Sequence, residues 1–278
     1  MSNADDLRTR FAGLVSPIVA EPDARFGKLE VLANWLAATV LATQSEQAID
    51  RRLILFRHDR AAGELLLGLP GIKISQHLLA STTHNSIEHA IESGIQIADH
   101  AIDSGTKLLF LGADRIDGNL DLEILVGALV RSDAASVTSN QGVSDQTWMT
   151  NVVRVRDEIF AVRDHIADPQ ALLTHTNSFD VAAMLGVICQ AAKRATPVVL
   201  IGDAASCAAL IASRVSHLTR EWLIPAVGLT SPAGALAQHH LGRPPILELG
   251  ITFDHDFQTP IAMTAPIIDA ILSLLSTD

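Results

Sequence analysis

The apolar residues of this chain are concentrated in short continuous runs, each followed by a glycine or a turn and then by a longer segment with helical spacing. This order is typical of repeated βα units. The runs do not alternate with polar residues, which indicates strands buried on both faces, and parallel strands of that kind need crossover helices. The pattern therefore predicts an α/β fold: a mostly parallel, doubly wound sheet covered by helices. The predicted strands are residues 52–56, 107–112, 197–202, 222–228 and 245–251.

Capping residues indicate where several of the helices begin. Asn119 precedes a segment whose first turn carries acidic residues, and carboxylates are favourable near the positive end of a helix dipole. Ser231 and Thr259 are each followed by proline, which is typical of an N-cap residue before the first helical position. We therefore predict helix starts at these three places.

The remaining segments define the domain organisation that we predict. Residues 132–145 are polar and contain glycine, so we interpret them as a long loop. Helical patterns near both ends of the chain lie outside the βα order, and they predict a small helical lobe from about residues 10–45 and 260–278. The chain as a whole, residues 1–278, is predicted to be a single α/β domain.

Composition narrows the classes of function. No stretch reaches the roughly 18 uninterrupted apolar residues of a membrane span, because charge, glycine or proline interrupts every apolar run, so we do not expect a membrane protein. The N-terminal residues include acids and lack the apolar segment of a signal peptide, which predicts a cytoplasmic protein. The two cysteines, Cys189 and Cys207, lie in apolar helical patterns and are assigned to core packing.

The charge balance argues against nucleic acid as a partner. The chain has 20 basic and 31 acidic residues, a formal charge of −11 that repels a polyphosphate backbone. Aromatic residues make up only 4% and tyrosine is absent, so a base-stacking platform has few side chains from which to form. A small-molecule ligand is the remaining expectation.

The candidate site is predicted where the strands end, since functional groups of doubly wound sheets collect at the carboxyl ends of strands. One candidate is His255, which lies between Asp254 and Asp256 after the last predicted strand. A neighbouring carboxylate raises the basicity of an imidazole, so His255 could act as a general base or a metal ligand. The alternative is a solvated acidic loop with one histidine.

A second candidate is the cluster Arg57-His58-Asp59-Arg60 at the end of the first predicted strand. Two arginines could bind a phosphate or a carboxylate, because their forked donors match planar oxyanions. A salt-bridged turn without ligand is the alternative. The adjacent pair His239-His240 is not a predicted metal site, since neighbouring helical side chains point about 100° apart.

Two glycine-bearing segments lead from strands into helices, where backbone amides can hold an anion. The first, residues 112–119, contains Asp114, Gly118 and Asn119, and it matches neither a P-loop nor a dinucleotide fingerprint. The second begins at Gly202 and Asp203. Asp203 places negative charge where a phosphate would bind, so an N-cap role for this residue is the alternative.

Five stretches in this order resemble one family, the nicotinate-nucleotide:dimethylbenzimidazole phosphoribosyltransferases (CobT-like). Residues 22–30 are similar to the family's Pro-x-Gly-Ser-Leu-Gly-x-Leu-Glu, and residues 112–119 to its Gly-Glu-Met-Gly-Ile-Gly-Asn loop. Residues 177–186 are similar to Gly-Gly-Phe-Glu-Ile-Ala-Ala-Met-x-Gly, and residues 197–210 to Pro-Val-Val-Val-Asp-Gly-Phe-Ile-Ser. Residues 245–250 are similar to the segment before its Gly-Glu-Gly loop.

The resemblance identifies a divergent and shortened member, because the departures fall on polar site positions. The family's catalytic glutamate aligns with His255, and the flanking glycines align with Asp254 and Asp256. Ala113 takes the place of the acidic residue of the Gly-Glu-Met-Gly loop, and Ile201 that of an aspartate. Glycines that let amides approach a phosphate are lost, while apolar and turn positions are retained.

The resemblance implies N-glycosyl transfer, in which nicotinate leaves C1 of the ribose while an incoming aromatic nitrogen loses its proton to His255. It also implies a homodimer, a nucleotide or aromatic base as ligand, and no cofactor or metal. The predicted substrate-binding residues are Arg57, Asp114, Gly118, Asn119, Asp180, Gly202, Asp203, Ser231 and Asp254. Two alternatives stay open: a non-catalytic relative that binds a nucleotide or base, and a metal-dependent hydrolase that uses Asp254, His255 and a second histidine.

Overall fold

The computed structural model describes residues 3–18, 24–41, 49–57, 69, 71–78, 86–115, 119–253 and 257–276. Within these ranges, five parallel strands form one sheet with the order β2-β1-β3-β4-β5. The strands are β1 Arg51–Arg57, β2 Ile72–Leu78, β3 Leu108–Asp114, β4 Val198–Leu200 and β5 Leu223–Pro225. The predicted parallel, doubly wound sheet is confirmed.

Eleven α-helices of the described chain cover the sheet. They are α1 Asn3–Arg10, α2 Glu30–Thr39, α3 Ile87–Asp103, α4 Leu120–Val130, α5 Ala134–Val137, α6 Asp145–Val162, α7 Pro169–Thr176, α8 Phe179–Lys193, α9 Gly202–Val215, α10 Pro232–Leu241 and α11 Gln258–Leu275. Short 3₁₀ helices span Ala24–Leu29, Arg163–His165 and His217–Trp222.

The strand predictions fail at the two edges of the sheet. Residues 245–251 do not form a strand; they contribute one isolated parallel bridge between Leu247 and Val227. The strand β2 was not predicted, because its sequence IKISQHL mixes polar and apolar residues. Of its residues 72–77 only Ile72 is buried, so β2 lacks the continuous apolar run of strands that are covered on both faces.

The pleat of the strands divides the core into two layers. Ile54 and Phe56 of β1 belong to one cluster, which includes residues of α3, α4, α8 and α9. Leu53 and Leu55 belong to a second cluster on the opposite face, which includes residues of α2 and α11. Since side chains alternate along a strand, Arg57 at the end of β1 shares the face of Leu55.

The first layer depends on close contact between α3 and α8. A Cβ atom added at Gly186 of α8 would lie 2.1 Å from the carbonyl oxygen of Ile91 in α3. A Cβ atom at Gly94 of α3 would lie 1.9 Å from the carbonyl oxygen of Ala183 in α8. Glycine at both positions therefore lets the backbones of α3 and α8 approach closely.

The predicted helix starts have different outcomes. Ser231 is the N-cap of α10, where its Oγ accepts a hydrogen bond from the Gly234 backbone N–H at 3.2 Å and Pro232 is the first helical residue. Asn119 precedes α4 as predicted, but its side chain makes no capping bond. The prediction for Thr259 is wrong, because α11 already begins at Gln258.

The predicted loop over residues 132–145 is confirmed for most of the segment, but a four-residue helix interrupts it. This helix, α5, begins where the Asp133 side chain accepts a hydrogen bond from the Ser136 N–H at 3.0 Å. Val137 is fully buried, and the Trp148 indole N–H of α6 donates to the Thr138 carbonyl at 3.1 Å. Buried contacts thus order a segment whose sequence is mostly polar.

The helices α2 and α11 contact each other and pack in the second layer of the core, whereas Leu7 of α1 belongs to the first layer. The division into one domain and a small lobe stays a prediction. Among the described residues, α11 is the one helix of 18 residues that is long and apolar enough to cross a membrane, with a mean hydropathy of 1.4. Its Ile261 and Ile268 are fully buried against the second layer of the core.

Candidate functional site

The carboxyl ends of β1 and β3 carry an ion pair. Arg57 and Asp114 are register partners, and Arg57 Nε lies 3.4 Å from Asp114 Oδ2. Arg57 Nη1 also donates a hydrogen bond to Gln76 Oε1 of β2 at 2.9 Å. The order β2-β1-β3 changes direction at β1, and ligands of open α/β sheets bind in the crevice at such a switch point. Two predicted site residues therefore lie together where the fold favours binding.

A second cluster lies on the opposite face, around Arg115. Its Nη2 donates to Asp121 Oδ1 at 2.7 Å, and its Nη1 lies 3.0 Å from Asp180 Oδ2. Ser178 Oγ donates to the second oxygen of Asp121 at 2.7 Å. Burial lowers the pKa of Arg115, but Asp180 and Asp121 outweigh it, so the pKa is raised and the guanidinium stays charged.

Asp180 has an evident structural partner in this cluster. The residue is 1% exposed, and its carboxylate is paired with Arg115 across the gap between α8 and β3. A role for Asp180 in substrate binding stays a prediction. Arg115 and Asp121 were not singled out from the sequence, where the only available signals were the strand-end position of Arg115 and the first-turn position of Asp121.

A third cluster joins Asn119, Asp203 and Ser231. The Asn119 side-chain amide donates to Asp203 Oδ2 at 3.3 Å. A Cβ atom added at Gly234 would lie 2.4 Å from both Asp203 Oδ1 and Ser231 Oγ, so the carboxylate lies against the first turn of α10. The interpretation of Asp203 as an N-cap is wrong, because α9 begins at Gly202 and its N-cap is Ile201.

The three clusters occupy neighbouring parts of one sheet edge. Gly202 follows β4, and its backbone has φ of 79°, a conformation that glycine adopts readily. Adjacent strands lie about 4.8 Å apart, so the ends of β1 and β4 are separated by two spacings, or roughly 10 Å. The sheet thus brings together Arg57, Asp114, Asn119, Gly202, Asp203 and Ser231, although they are widely separated in the sequence.

Glu123 of α4 is a buried acid that the sequence analysis did not single out. Its Oε1 accepts a hydrogen bond from the Ser139 backbone N–H at 2.9 Å, while Oε2 has no partner among the described residues. Burial raises the pKa of Glu123 to about 7, against the lowering effect of that bond, and Asp121 and Asp203 raise it further. Glu123 therefore changes protonation state near neutral pH.

Neither cysteine has the environment of a nucleophile. Cys189 and Cys207 are both buried, and burial raises the pKa of the Cys189 thiol to about 12. The pKa of Cys207 is also raised by burial, and Asp121 adds to the effect. Both thiols stay protonated at neutral pH, as expected for core residues.

Three predicted residues, His255, Asp254 and Gly118, lie outside the described residues, as do His58 and Arg60.

The structure does describe the residues on either side of Asp254 and His255. Phe253 and Phe257 pack partly buried against the second layer of the core. The hydroxyls of Thr252 and Thr230 are hydrogen-bonded at 2.8 Å, which ties this segment to the one after β5.

The described part of the chain contains no group of three or more histidine, cysteine or acidic residues arranged to hold a metal ion. His239 and His240 lie in the last turn of α10, where a helix dipole favours them. A metal site that uses Asp254 and His255 stays untested.

Two cavities among the described residues lie apart from the three clusters. One, of about 360 Å³, lies beside α10 and is lined by residues that include Gln238, Arg243 and Glu248. The other, of about 340 Å³, is lined by residues that include Glu88 and Gln170. Neither is lined by Arg57, Asp114 or Asp203, so the candidate site is defined by its converging charged groups and not by cavity volume.

Known proteins similar to this chain point to one family. A family model described as phosphoribosyltransferase matches residues 78–276. The nicotinate-nucleotide:dimethylbenzimidazole phosphoribosyltransferase of Corynebacterium glutamicum is 36% identical over 170 residues, which are 61% of this chain and 48% of that protein. The chain thus spans about half the length of that relative. The protein of the same name from Mycobacterium avium is 31% identical over 269 residues, 95% of this chain and 73% of that protein.

A solved structure shares the fold. The crystal structure of the nicotinate-nucleotide:dimethylbenzimidazole phosphoribosyltransferase from Thermus thermophilus matches with a TM-score of 0.69 and 16% identity. The match covers 98% of this chain and 95% of that chain. The predicted α/β architecture is therefore confirmed by a known structure as well as by the sheet topology.

Proposed function

The chain belongs to the family of nicotinate-nucleotide:dimethylbenzimidazole phosphoribosyltransferases, and on that premise we propose that it transfers phosphoribose from nicotinate mononucleotide to an aromatic nitrogen base. This is the reaction class of cobamide lower-ligand synthesis. The acceptor nitrogen forms a bond to C1 of the ribose as the bond to nicotinate breaks, and the bonding electrons leave with nicotinate. The acceptor then loses the proton of its second nitrogen to a base.

The observation that carries the proposal is the Arg57–Asp114 pair at the switch point of the sheet. It supplies a cation and a carboxylate at the place where ligands of this fold class bind. Positive charge develops on the ribose as the glycosyl bond breaks, and nearby carboxylates stabilise such charge. Asp114 and Asp203 are the described carboxylates that we assign to this role.

His255 is the base in this proposal, on the support of its alignment with the family's catalytic glutamate. A neutral imidazole can accept the proton of the acceptor nitrogen near pH 7, and Asp254 and Asp256 would favour the resulting imidazolium. We also propose a cytoplasmic homodimer, the assembly that the resemblance implies.

The test is release of nicotinate from nicotinate mononucleotide in the presence of dimethylbenzimidazole, with both products resolved by chromatography. We expect turnover by the wild-type chain. The rate of His255→Ala should be lower by a factor of at least about 100, since general-base catalysis contributes roughly 10²–10⁴-fold. His239→Ala, at an exposed position in the last turn of α10, serves as the control and should retain full activity. Ligand-dependent stabilisation without turnover would contradict the transferase and indicate a binding protein.

A further inference from the structure

Arg57 is a buried cation whose hydrogen-bonding capacity is only partly used. The residue is 6% exposed, and Nη1 donates to Gln76 Oε1 at 2.9 Å. Asp114 Oδ2, at 3.4 Å from Nε, balances the charge without completing a hydrogen bond. Nε and Nη2 have no acceptor among the residues that the structure describes. A buried polar group without a partner is destabilising, and such groups in native proteins call for a functional explanation.

The two unpaired donors lie on one edge of the guanidinium. The N–H of Nε and one N–H of Nη2 point in parallel, which is the fork that binds a carboxylate or a phosphate through two oxygens. Gln76 occupies the other end of the group through Nη1 and holds it in place at the sheet edge. The unpaired Nε/Nη2 edge of this buried side chain therefore has the donor geometry of an oxyanion site at the switch point.

The N-terminus of α10 is a second place on this edge where an anion could bind, but side chains of the protein already occupy it. The first turn of α10 would offer backbone amides to a phosphate, but Ser231 Oγ accepts from the Gly234 N–H. The Asp203 carboxylate lies against the same turn and accepts a hydrogen bond from Asn119. A second anion at this helix terminus would face direct repulsion from Asp203.

We propose that the Nε/Nη2 fork of Arg57 binds an oxyanion of the pyridine nucleotide substrate, in place of the occupied helix terminus at α10. This inference rests on the proposed function for the identity of the ligand. The substrate carries two oxyanions, the ring carboxylate and the 5′-phosphate, and either one fits the fork. Asp114 is the resident counterion, and it weakens anion binding because its negative charge lies beside the fork.

The experiment measures dissociation constants of nicotinate mononucleotide, nicotinate and ribose 5-phosphate by isothermal titration calorimetry. The proteins are the wild-type chain, Arg57→Gln, Arg57→Lys and Asp114→Asn, with Arg156→Gln as the matched control on the exposed face of α6. We expect Arg57→Gln to weaken mononucleotide binding about 10- to 100-fold, and Arg57→Lys to recover part of it. Asp114→Asn should strengthen binding, and Arg156→Gln should change nothing.

The separate ligands identify the oxyanion. Weaker binding of ribose 5-phosphate alone assigns the phosphate to Arg57, and weaker binding of nicotinate alone assigns the carboxylate. Equal affinities of wild type and Arg57→Gln for all three ligands, or no binding of any of them by the wild type, would overturn the proposal. Arg57→Gln can be replaced if circular dichroism shows that it does not fold: Arg57→Lys should raise the dissociation constant of nicotinate mononucleotide, and Asp114→Asn should lower it.

The wild-type turnover assay separates this inference from the proposed function. Nicotinate release together with an unaltered Arg57→Gln affinity leaves the function intact and removes the anion site. Arg57-dependent binding of ribose 5-phosphate or nicotinate without nicotinate release leaves the anion site and removes the transferase.

Discussion

Arg115 of the segment after β3 and Asp180 of α8 form an ion pair with a separation of 3.0 Å, and Asp180 is 1% exposed. Removing one partner of a buried pair leaves the other charge uncompensated. We therefore expect Asp180→Ala to lower the free energy of unfolding by about 3 kcal/mol, as measured by urea denaturation.

The exposed pair Arg156–Asp157 provides the control for that measurement. Its atoms lie 2.8 Å apart, but both side chains are more than half exposed, so Asp157→Ala should cost less than about 1 kcal/mol. Equal losses for the two variants would contradict the structural role of Asp180.

Gly186 gives a second prediction, for the contact between α3 and α8. A Cβ atom 2.1 Å from the Ile91 carbonyl oxygen must push the helices apart, although alanine has the higher helix propensity. We expect Gly186→Ala to lower the free energy of unfolding by about 3 kcal/mol, because overpacking of a close backbone contact is costly.

Gly13→Ala is the matched variant, since an added Cβ atom there meets nothing within 4 Å. We expect it to change stability by less than about 0.5 kcal/mol. A neutral Gly186→Ala would show that α3 and α8 do not approach as closely as described.

Glu123 predicts a pH dependence of stability. Its pKa is about 7 in the folded chain against an ordinary value of 4.5, so the folded state holds a proton that the unfolded state has lost between these pH values. Unfolding therefore becomes easier as pH rises from about 4.5 to 7, and the loss is on the order of 3 kcal/mol.

Glu123→Gln keeps an oxygen that can accept from the Ser139 N–H and removes the titration. We expect this variant to lose less stability than the wild type between pH 5 and pH 8 in urea denaturation. Parallel pH profiles for the two proteins would contradict the burial of a titrating Glu123.

Ser231 gives a prediction about the helix that borders the candidate site. Ser231→Ala removes the acceptor for the Gly234 N–H and should cost about 1 kcal/mol in thermal or urea unfolding. Ser231→Thr keeps the hydroxyl and should recover most of that loss. A loss that threonine does not reduce would argue against the capping bond as its cause.

Elements could be predicted from the sequence where the local pattern of apolar residues matches the pattern of burial in the structure. The central residues of β1, β3, β4 and β5 are apolar and buried because helices cover both faces, so each strand was predicted from its own residues. The edge strand β2 lacked that pattern. The short helix α5 depends on Val137 reaching the core and on bonds to Glu123 and Trp148, and no local pattern records these contacts.

The sequence indicated where the candidate site lies along the chain, but it did not indicate which charged side chains form ion pairs there. Strand ends could be located from the sequence, and their positions gave Asp114, Asn119 and Asp203 as candidate site residues. The partners Arg115 and Asp180 are far apart along the chain and meet only after α8 packs on α3. Pairings of this kind depend on tertiary packing, which periodicity and capping rules do not contain.

Asp114 and Arg115 are neighbours in sequence, yet the pleat directs them to opposite sides of the sheet. A shift of β3 by a single position would exchange an acid of the proposed substrate site with a base that holds α4 and α8 in place. Substitutions at position 114 therefore act on the Arg57 pair at the edge of the proposed site, whereas substitutions at position 115 act on the packing of α4 and α8. Two adjacent residues thus connect the end of one strand to opposite layers of the fold.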